Sequence, residues 1–136
     1  MNKLTITLLT LLTLSSCRFT HLNLKSDKFS YREMVNNEWT QFTDWQPNDI
    51  KVKLKKAPFN ILKGKIIFYE KNKLSLKIIK ENEESKTEKG ERIISYNCVD
   101  NDGAKCYLIL IDKGESVNAI VYYTNLNLCY NLFEIK

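Results

Sequence analysis

The amino-acid sequence predicts an all-β fold, a single domain built as an antiparallel meander of seven or eight strands. Three observations support this prediction. From Glu38 onward, apolar and polar residues alternate with a period of two over several short segments. Short polar turns separate these segments, and no stretch of ten residues keeps the spacing of an amphipathic helix. The 136 residues of the chain are enough for one domain.

The first 17 residues have the pattern of a targeting signal. Lys3 precedes the uncharged segment Leu4 to Leu14, which is too short to cross a bilayer and is typical of the apolar region of a signal peptide. The sequence LSSC at positions 14–17 resembles the lipobox of bacterial lipoproteins. This resemblance implies that residues 1–16 are removed and that acyl chains on Cys17 anchor the protein to a membrane of the bacterial cell envelope, outside the cytoplasm. The alternative is plain secretory cleavage with Cys17 as an ordinary thiol, which the missing Ala-x-Ala-like site disfavours.

The segment after the signal shows little periodicity. We predict that residues 17–37 are the lipidated cysteine and a tether, and that residues 38–136 form the β domain. Ser30 and Glu33 have the spacing of a capping box, which predicts a short helix near the N-terminus.

Strands and turns then follow one another to the end of the chain. Trp39 to Trp45 alternates as a strand, Gln46 to Asp49 is a turn, and Ile50, Val52 and Leu54 alternate with lysines. Three hairpins are predicted from pairs of alternating segments, over residues 65–70 with 74–80, 92–99 with 105–112, and 117–124 with 128–135. Residues 81–90 form a charged loop. The predicted buried face comprises Ile50, Val52, Leu54, Ile66, Phe68, Leu74, Leu76, Ile78, Ile94, Tyr96, Leu108 and Leu110.

Closure of the meander is favoured because an open meander leaves two exposed edge strands. The sequence therefore predicts a small closed barrel or a strongly curled sheet, with an open sheet or sandwich as the alternative. In strand number and order the chain resembles the lipocalin and fatty-acid-binding architecture. It lacks the Gly-x-Trp signature of lipocalins, since no glycine precedes Trp39 or Trp45 by two positions.

Cysteine chemistry is limited to four residues. With Cys17 lipidated, three thiols remain. A hairpin centred on residues 101–103 places Cys98 opposite Cys106, which predicts a disulfide between them in an oxidising compartment. Pairing of either with Cys129 and three buried free thiols remain the alternatives.

Two further groups of residues have a functional and a structural interpretation. The sequence DNDG at positions 100–103 is similar to the start of a calcium loop, but Ile111 stands where such a loop has its glutamate, so a hairpin turn is favoured. Aromatic residues line either a ligand cavity or, as aromatic residues in strands more often do, the core. They are Trp39, Phe42, Trp45, Phe68, Tyr69, Tyr96, Tyr107, Tyr122, Tyr123 and Tyr130.

Charge is distributed unevenly along the chain, whose net charge is +5. Residues 51–80 contain ten lysines and one carboxylate, Glu70, whereas residues 81–135 contain ten carboxylates and five basic residues. Lysines in the first region could contact an anionic lipid, an envelope polysaccharide or an acidic protein. The alternative is that they prevent aggregation of strand edges. The candidate residues are Lys51, Lys53, Lys55, Lys65, Lys71, Lys73 and Lys77.

The sequence contains no recognisable catalytic constellation, and His21 is its one histidine. We therefore expect a monomeric, non-enzymatic binding or interaction module of the envelope, without a cofactor, a metal site or nucleic-acid binding. A structural lipoprotein without a ligand is the alternative. Tyr96-Asn97-Cys98 is similar to a Tyr-x-Cys strand of small lipoprotein inhibitors of lysozyme, which implies an inhibitor-type role. The tripeptide lies late in this chain, so the rest of that family's barrel does not fit after it.

Overall fold

The computed structural model describes residues 20–56 and 64–135. These residues form ten β-strands, and the described part of the chain contains no helix, and therefore none that could cross a membrane. The strands are β1 (Thr20–Val35), β2 (Glu38–Trp39), β3 (Gln46–Lys56), β4 (Lys65–Tyr69), β5 (Leu74–Glu81), β6 (Ser85–Lys86), β7 (Arg92–Val99), β8 (Lys105–Asp112), β9 (Val117–Tyr122) and β10 (Leu126–Glu134).

Eight of these strands close into a barrel. Strands β1, β3, β4, β5, β7, β8, β9 and β10 each pair with the next in an antiparallel meander, and β10 returns to pair with β1. The short strands β2 and β6 lie outside this cycle, where β2 pairs with β1 and β6 pairs with β7. The all-β prediction and its closed-barrel form are confirmed, and closure removes the exposed edges of an open sheet.

The tether predicted for residues 17–37 is wrong from Thr20 onward, and so is the domain boundary at residue 38. Residues 20–35 are β1, which pairs with β3 on one side and β10 on the other. A bulge between Ser26 and Lys28 interrupts the alternation, so that Leu24 and Phe29, five residues apart, both face the interior. Because the bulge moves the inward positions by one residue, the sequence of β1 does not show a continuous period of two.

The short helix predicted at Ser30 is also wrong. Ser30 lies within β1, and its hydroxyl donates to the Thr43 carbonyl oxygen at 2.6 Å instead of capping a helix. The strand then turns at Asn36 and Asn37, whose φ angles of 52° and 63° are tolerated by asparagine in tight hairpin turns.

The region from Trp39 to Asp49 differs from the prediction as well. Strand β2 ends at Trp39, and residues 40–45 follow β1 through isolated bonds, such as that from Thr43 N to Tyr31 O. The predicted turn beginning at Gln46 is the start of β3. Pro47 is accommodated there because it lies beside the bulge, where the regular ladder is interrupted.

The remaining strands agree with the predicted alternation, although β10 begins at Leu126, before the predicted residue 128, and β6 lies within the predicted loop of residues 81–90. Strands β7 and β8 occupy the predicted residues, and their register places Cys98 opposite Cys106, Tyr96 opposite Leu108 and Ile94 opposite Leu110. Residues 57–63, which include the predicted break at Ala57-Pro58, lie outside the described residues.

The interior of the barrel is filled by side chains. Of the predicted buried face, Ile50 and Leu74 are half-buried against the core and the other ten residues are buried in it. Phe68 stacks on Tyr130 with ring centroids 4.5 Å apart, and Tyr96 is fully buried. Aromatic rings thus occupy the volume that eight strands enclose.

The two ends of the barrel differ in what they carry. One end, here called the base, contains the start of β1, where Thr20 is opposite Lys56, and the end of the chain, where Ile135 N donates to Asn23 O. The other end, here called the mouth, is formed by the β4–β5, β7–β8 and β9–β10 turns. The chain therefore enters the described structure at the base.

Candidate functional site

The mouth brings together three turns that are distant in sequence, over residues 70–73, 100–104 and 123–125. In a meander, alternate turns lie at the same end of the barrel, which is why these three meet. They line a polar pocket of about 450 Å³ with carboxylates and amides at its rim and leucines below.

The β7–β8 turn is stabilised by its first residue. One carboxylate oxygen of Asp100 accepts the N–H groups of Asp102 at 2.9 Å and Ala104 at 2.8 Å. Gly103 has a φ of 85°, which an L side chain rarely adopts. These contacts are those of a hairpin turn, as the sequence favours. Among the described residues, no three His, Cys, Asp or Glu side chains are placed to hold a metal ion.

Two tyrosines donate hydrogen bonds to carboxylates at the mouth. The hydroxyl of Tyr123 donates to Asp100 at 2.9 Å, and the hydroxyl of Tyr130 donates to Glu70 at 2.5 Å. Burial, reinforced by the adjacent carboxylate, raises the pKa of both tyrosines well above the ordinary range. Partial burial opposes ionisation of Asp100, but the hydrogen bonds it accepts outweigh this effect and lower its pKa. These pairs orient the side chains and leave the hydroxyl protons on the tyrosines.

An apolar pocket of about 540 Å³ shares Tyr123 with the polar one but lies mostly on the outer side of β7, β8 and β9. Val99, Tyr107 and Tyr122 face outward there because they alternate with residues of the core. The lining of this pocket is mostly aromatic, aliphatic or sulfur-containing, with polar groups from Asn97, Lys105 and Thr124. The apolar lining residues are Ile79, Cys98, Val99, Cys106, Tyr107, Tyr122 and Tyr123.

The predicted disulfide between Cys98 and Cys106 is wrong: both are free, buried thiols. Burial raises the pKa of Cys98 to about 12 and that of Cys106 to about 11, so both remain protonated at neutral pH. The Cys98 thiol points along its own strand to the Tyr96 carbonyl oxygen at 3.9 Å. The two residues pack as small apolar side chains, which is the alternative that the sequence left open.

Cys129 does not pair with either of them. It lies between Leu128 and Tyr130, which face the core, so its own side chain is on the outer face of β10. The barrel wall separates it from Cys98 and Cys106. It is nevertheless buried, and burial raises its pKa to about 11.

The seven lysines predicted to contact an anionic surface separate into two groups. Lys71 and Lys73 belong to the β4–β5 turn at the mouth. The other five lie on the outside of β3, β4 and β5, and Lys25 of the adjacent β1 joins them. We call this set the lysine wall: Lys25, Lys51, Lys53, Lys55, Lys65 and Lys77.

The ten aromatic residues take three different positions. Phe68, Tyr96 and Tyr130 belong to the core. Tyr107, Tyr122 and Tyr123 line the apolar pocket. The other four have exposed side chains away from this pocket: Trp39, Phe42, Trp45 and Tyr69. A ligand cavity lined by all ten is therefore excluded.

The sequence reading missed the two tyrosine–carboxylate pairs at the mouth. Tyr130 and Glu70 are separated by 60 positions along the chain, and they meet because the inward side chain of Tyr130 packs against Phe68 of β4 and its hydroxyl reaches the residue after that strand. Alternation indicates that Tyr130 faces inward but does not identify the group that its hydroxyl reaches.

No known protein family, curated protein or solved structure matches this chain.

Proposed function

We propose that this protein is a lipid-anchored module of the bacterial cell envelope that binds a small, largely apolar ligand in a pocket on the outer side of its barrel, beside the mouth. The observation that carries the proposal is the apolar pocket of about 540 Å³ on the outer side of β7, β8 and β9, near the mouth. Ligand sites in small barrels are concave, mostly apolar and edged by a few polar groups, and this pocket has that character.

The position of the anchor supports this arrangement. Cys17 lies outside the described residues, but Thr20, the third residue after it, begins β1 at the base. An anchor at Cys17 would hold the start of β1 near the bilayer, and the pocket, on the outer side of β7, β8 and β9 toward the mouth, lies away from that point. Two or more acyl chains would make that attachment stable.

The chemistry of the mouth favours binding over catalysis. Cys98 and Cys106 border the pocket, but their raised pKa values leave very little thiolate at neutral pH. Asp100 and Glu70 already accept hydrogen bonds from tyrosines, and neither has a histidine partner in the described structure. The two thiols and the two tyrosine–carboxylate pairs therefore hold the side chains around the pocket in place.

The anchor is tested by mass spectrometry of the N-terminal peptide of protein purified from native membranes. We expect a peptide that begins at Cys17 and carries acyl chains. An unmodified Cys17, or a peptide that retains Met1, would contradict the anchor.

The pocket is tested with the apolar fluorescent probe N-phenyl-1-naphthylamine. We expect saturable binding that Thr124→Trp weakens at least about tenfold, since an indole at this exposed lining position fills the entrance. Ser85→Trp, at an exposed position near the base, is the matched control and should leave binding unchanged. Absence of saturable binding would favour a structural lipoprotein without a ligand.

A further inference from the structure

The lysine wall is a set of like charges that the sheet register places side by side. Lys65 lies directly opposite Lys55 on one side and Lys77 on the other, and Lys25 lies opposite Lys51. All six side chains point outward, because the residues between them belong to the core. Like charges directly opposite one another across strands are destabilising, so this arrangement does not arise from the needs of folding.

Within the described residues, one member of the lysine wall has an acidic partner. Lys25 Nζ lies 3.1 Å from Asp49, whose side chain is 80% exposed. The other five lysines form no ion pair with a described carboxylate. The wall therefore presents uncompensated positive charge to whatever lies beside it.

Aromatic side chains continue the same outer face toward the mouth. After the bulge in β1, Phe29 faces the core, so Lys28 and Arg32 point outward as Lys25 does. Lys28 Nζ lies 5.0 Å from the Trp45 ring, and the Arg32 guanidinium lies 4.9 Å from both the Trp39 and the Phe42 rings. These contacts hold three exposed rings outside β1, an arrangement we call the aromatic cluster: Trp39, Phe42 and Trp45.

We propose that the lysine wall and the aromatic cluster form one surface that binds an anionic lipid bilayer, so that the barrel lies on its side against the membrane. Lysines near an anionic surface attract its headgroups, and tryptophan rings favour the depth where headgroups meet acyl chains. Exposed aromatic rings also occur in surfaces that bind proteins and sugars, so the position of the surface beside the proposed anchor selects the bilayer as its occupant.

The proposed anchor supplies the proximity that this contact needs, and to that extent the inference rests on the proposed function. Thr20 is the third residue after Cys17, a distance that an extended chain spans in at most about 10 Å. Lys55 is opposite His21 at the start of β1, so the wall begins next to the anchored end. The wall and the cluster then extend along β1 from the base to the mouth.

The test uses the chain from Arg18 onward, which contains every strand and the complete core of the described structure and carries no acyl chains. Vesicles of phosphatidylcholine with about one quarter phosphatidylglycerol are compared with pure phosphatidylcholine by co-sedimentation. We expect binding to the anionic vesicles at low salt and release near physiological salt, where exposed charges are screened beyond about 8 Å.

The chain's own tryptophans report the contact. Trp39 and Trp45 are its two tryptophans and both belong to the aromatic cluster, so their emission should shift to shorter wavelength only with anionic vesicles. The double variant Trp39→Ala/Trp45→Ala should sediment less with the vesicles. Binding without an emission shift would overturn the proposal.

A pair of charge-matched variants separates the wall from net charge. Lys53→Glu/Lys65→Glu should weaken binding by at least about 25-fold, since each lysine near an anionic surface contributes about fivefold and the new carboxylates are repelled. Lys86→Glu/Lys89→Glu changes net charge equally at exposed positions near the base and should have little effect. Equal loss in both variants, or retention on heparin beads with no vesicle binding at low salt, would overturn the bilayer in favour of general polyanion attraction. Because no acyl chain is present, these outcomes do not depend on whether Cys17 is lipidated.

Discussion

On its outside, the half of the barrel made of β1, β3, β4 and β5 differs from the half made of β7 to β10. The first carries the six residues of the lysine wall. The outward positions of β7 to β10 are nearly uncharged, with Lys105 at one turn and isoleucines or asparagines along most of the face. On this face Ile109, Ile111 and Asn118 are half-buried.

The insides of the two halves are alike. Leu54 and Ile66 in the first half and Leu108 and Val121 in the second belong to the same core and are at most 1% exposed. Burial of apolar side chains is the main favourable contribution to folding. The outer faces are therefore free to differ without changing the fold, and the difference between them points to what the surface contacts.

The largest expected effect is a loss of stability that is the same in both halves. Leu54→Ala and Leu108→Ala each remove a buried side chain from the core, and each should lower the free energy of unfolding by about 2–5 kcal/mol. Urea denaturation of the two variants measures this. A loss from only one variant would show that the halves do not share a core.

The core face was predictable because its signal is local. Alternation in β3, β4, β5, β7 and β8 identifies inward residues without knowledge of their partners. Strand β1 was not predictable, because its bulge shifts the inward positions after Ser26 and because Ser30 and Glu33 mimic a helix start. Tertiary pairing with β3 and β10 decides the structure of this segment against its local sequence signals.

A smaller effect concerns the mouth, where the second half of the barrel supplies Asp100 and Tyr123. Asp100→Asn should lower stability by about 1–2 kcal/mol at neutral pH, since a charged acceptor of several hydrogen bonds is replaced by an amide. The pKa of Asp100 is lowered by folding, so its contribution is present above its ordinary value of 3.8 and is lost as the pH falls through the folded-state pKa.

The difference between Asp100→Asn and the parent chain should therefore shrink below about pH 4 in urea denaturation measured across pH. Tyr123→Phe removes one of the hydrogen bonds and serves as a partial variant, with a smaller loss of the same pH dependence. A difference that stays constant down to low pH would contradict ionisation of Asp100 as the cause.

The candidate surfaces were predictable in part. Five of the seven predicted lysines lie together because alternation places them on one outer face of neighbouring strands. The aromatic cluster was not predictable, because it depends on contacts from Arg32 and Lys28 across a hairpin whose first strand was read as a tether. The free thiols show a different limit: the register of Cys98 and Cys106 is confirmed, but the bond inferred from it is not.

The smallest effect has the opposite sign and separates stability from surface contact. Lys65 lies between Lys55 and Lys77, so Lys65→Glu replaces two like-charge neighbours by two opposite-charge ones. It should raise the free energy of unfolding by about 0.2–1 kcal/mol at low salt, and less at high salt. Lys105→Glu in the other half, opposite the uncharged Val99, should change stability very little. If Lys65→Glu stabilises the barrel while Lys53→Glu/Lys65→Glu loses vesicle binding, the lysine wall lowers the stability of the fold. A role in folding then does not explain these lysines, whereas a role in membrane contact does. A loss of stability in Lys65→Glu would instead mean that its ammonium group supports the barrel itself.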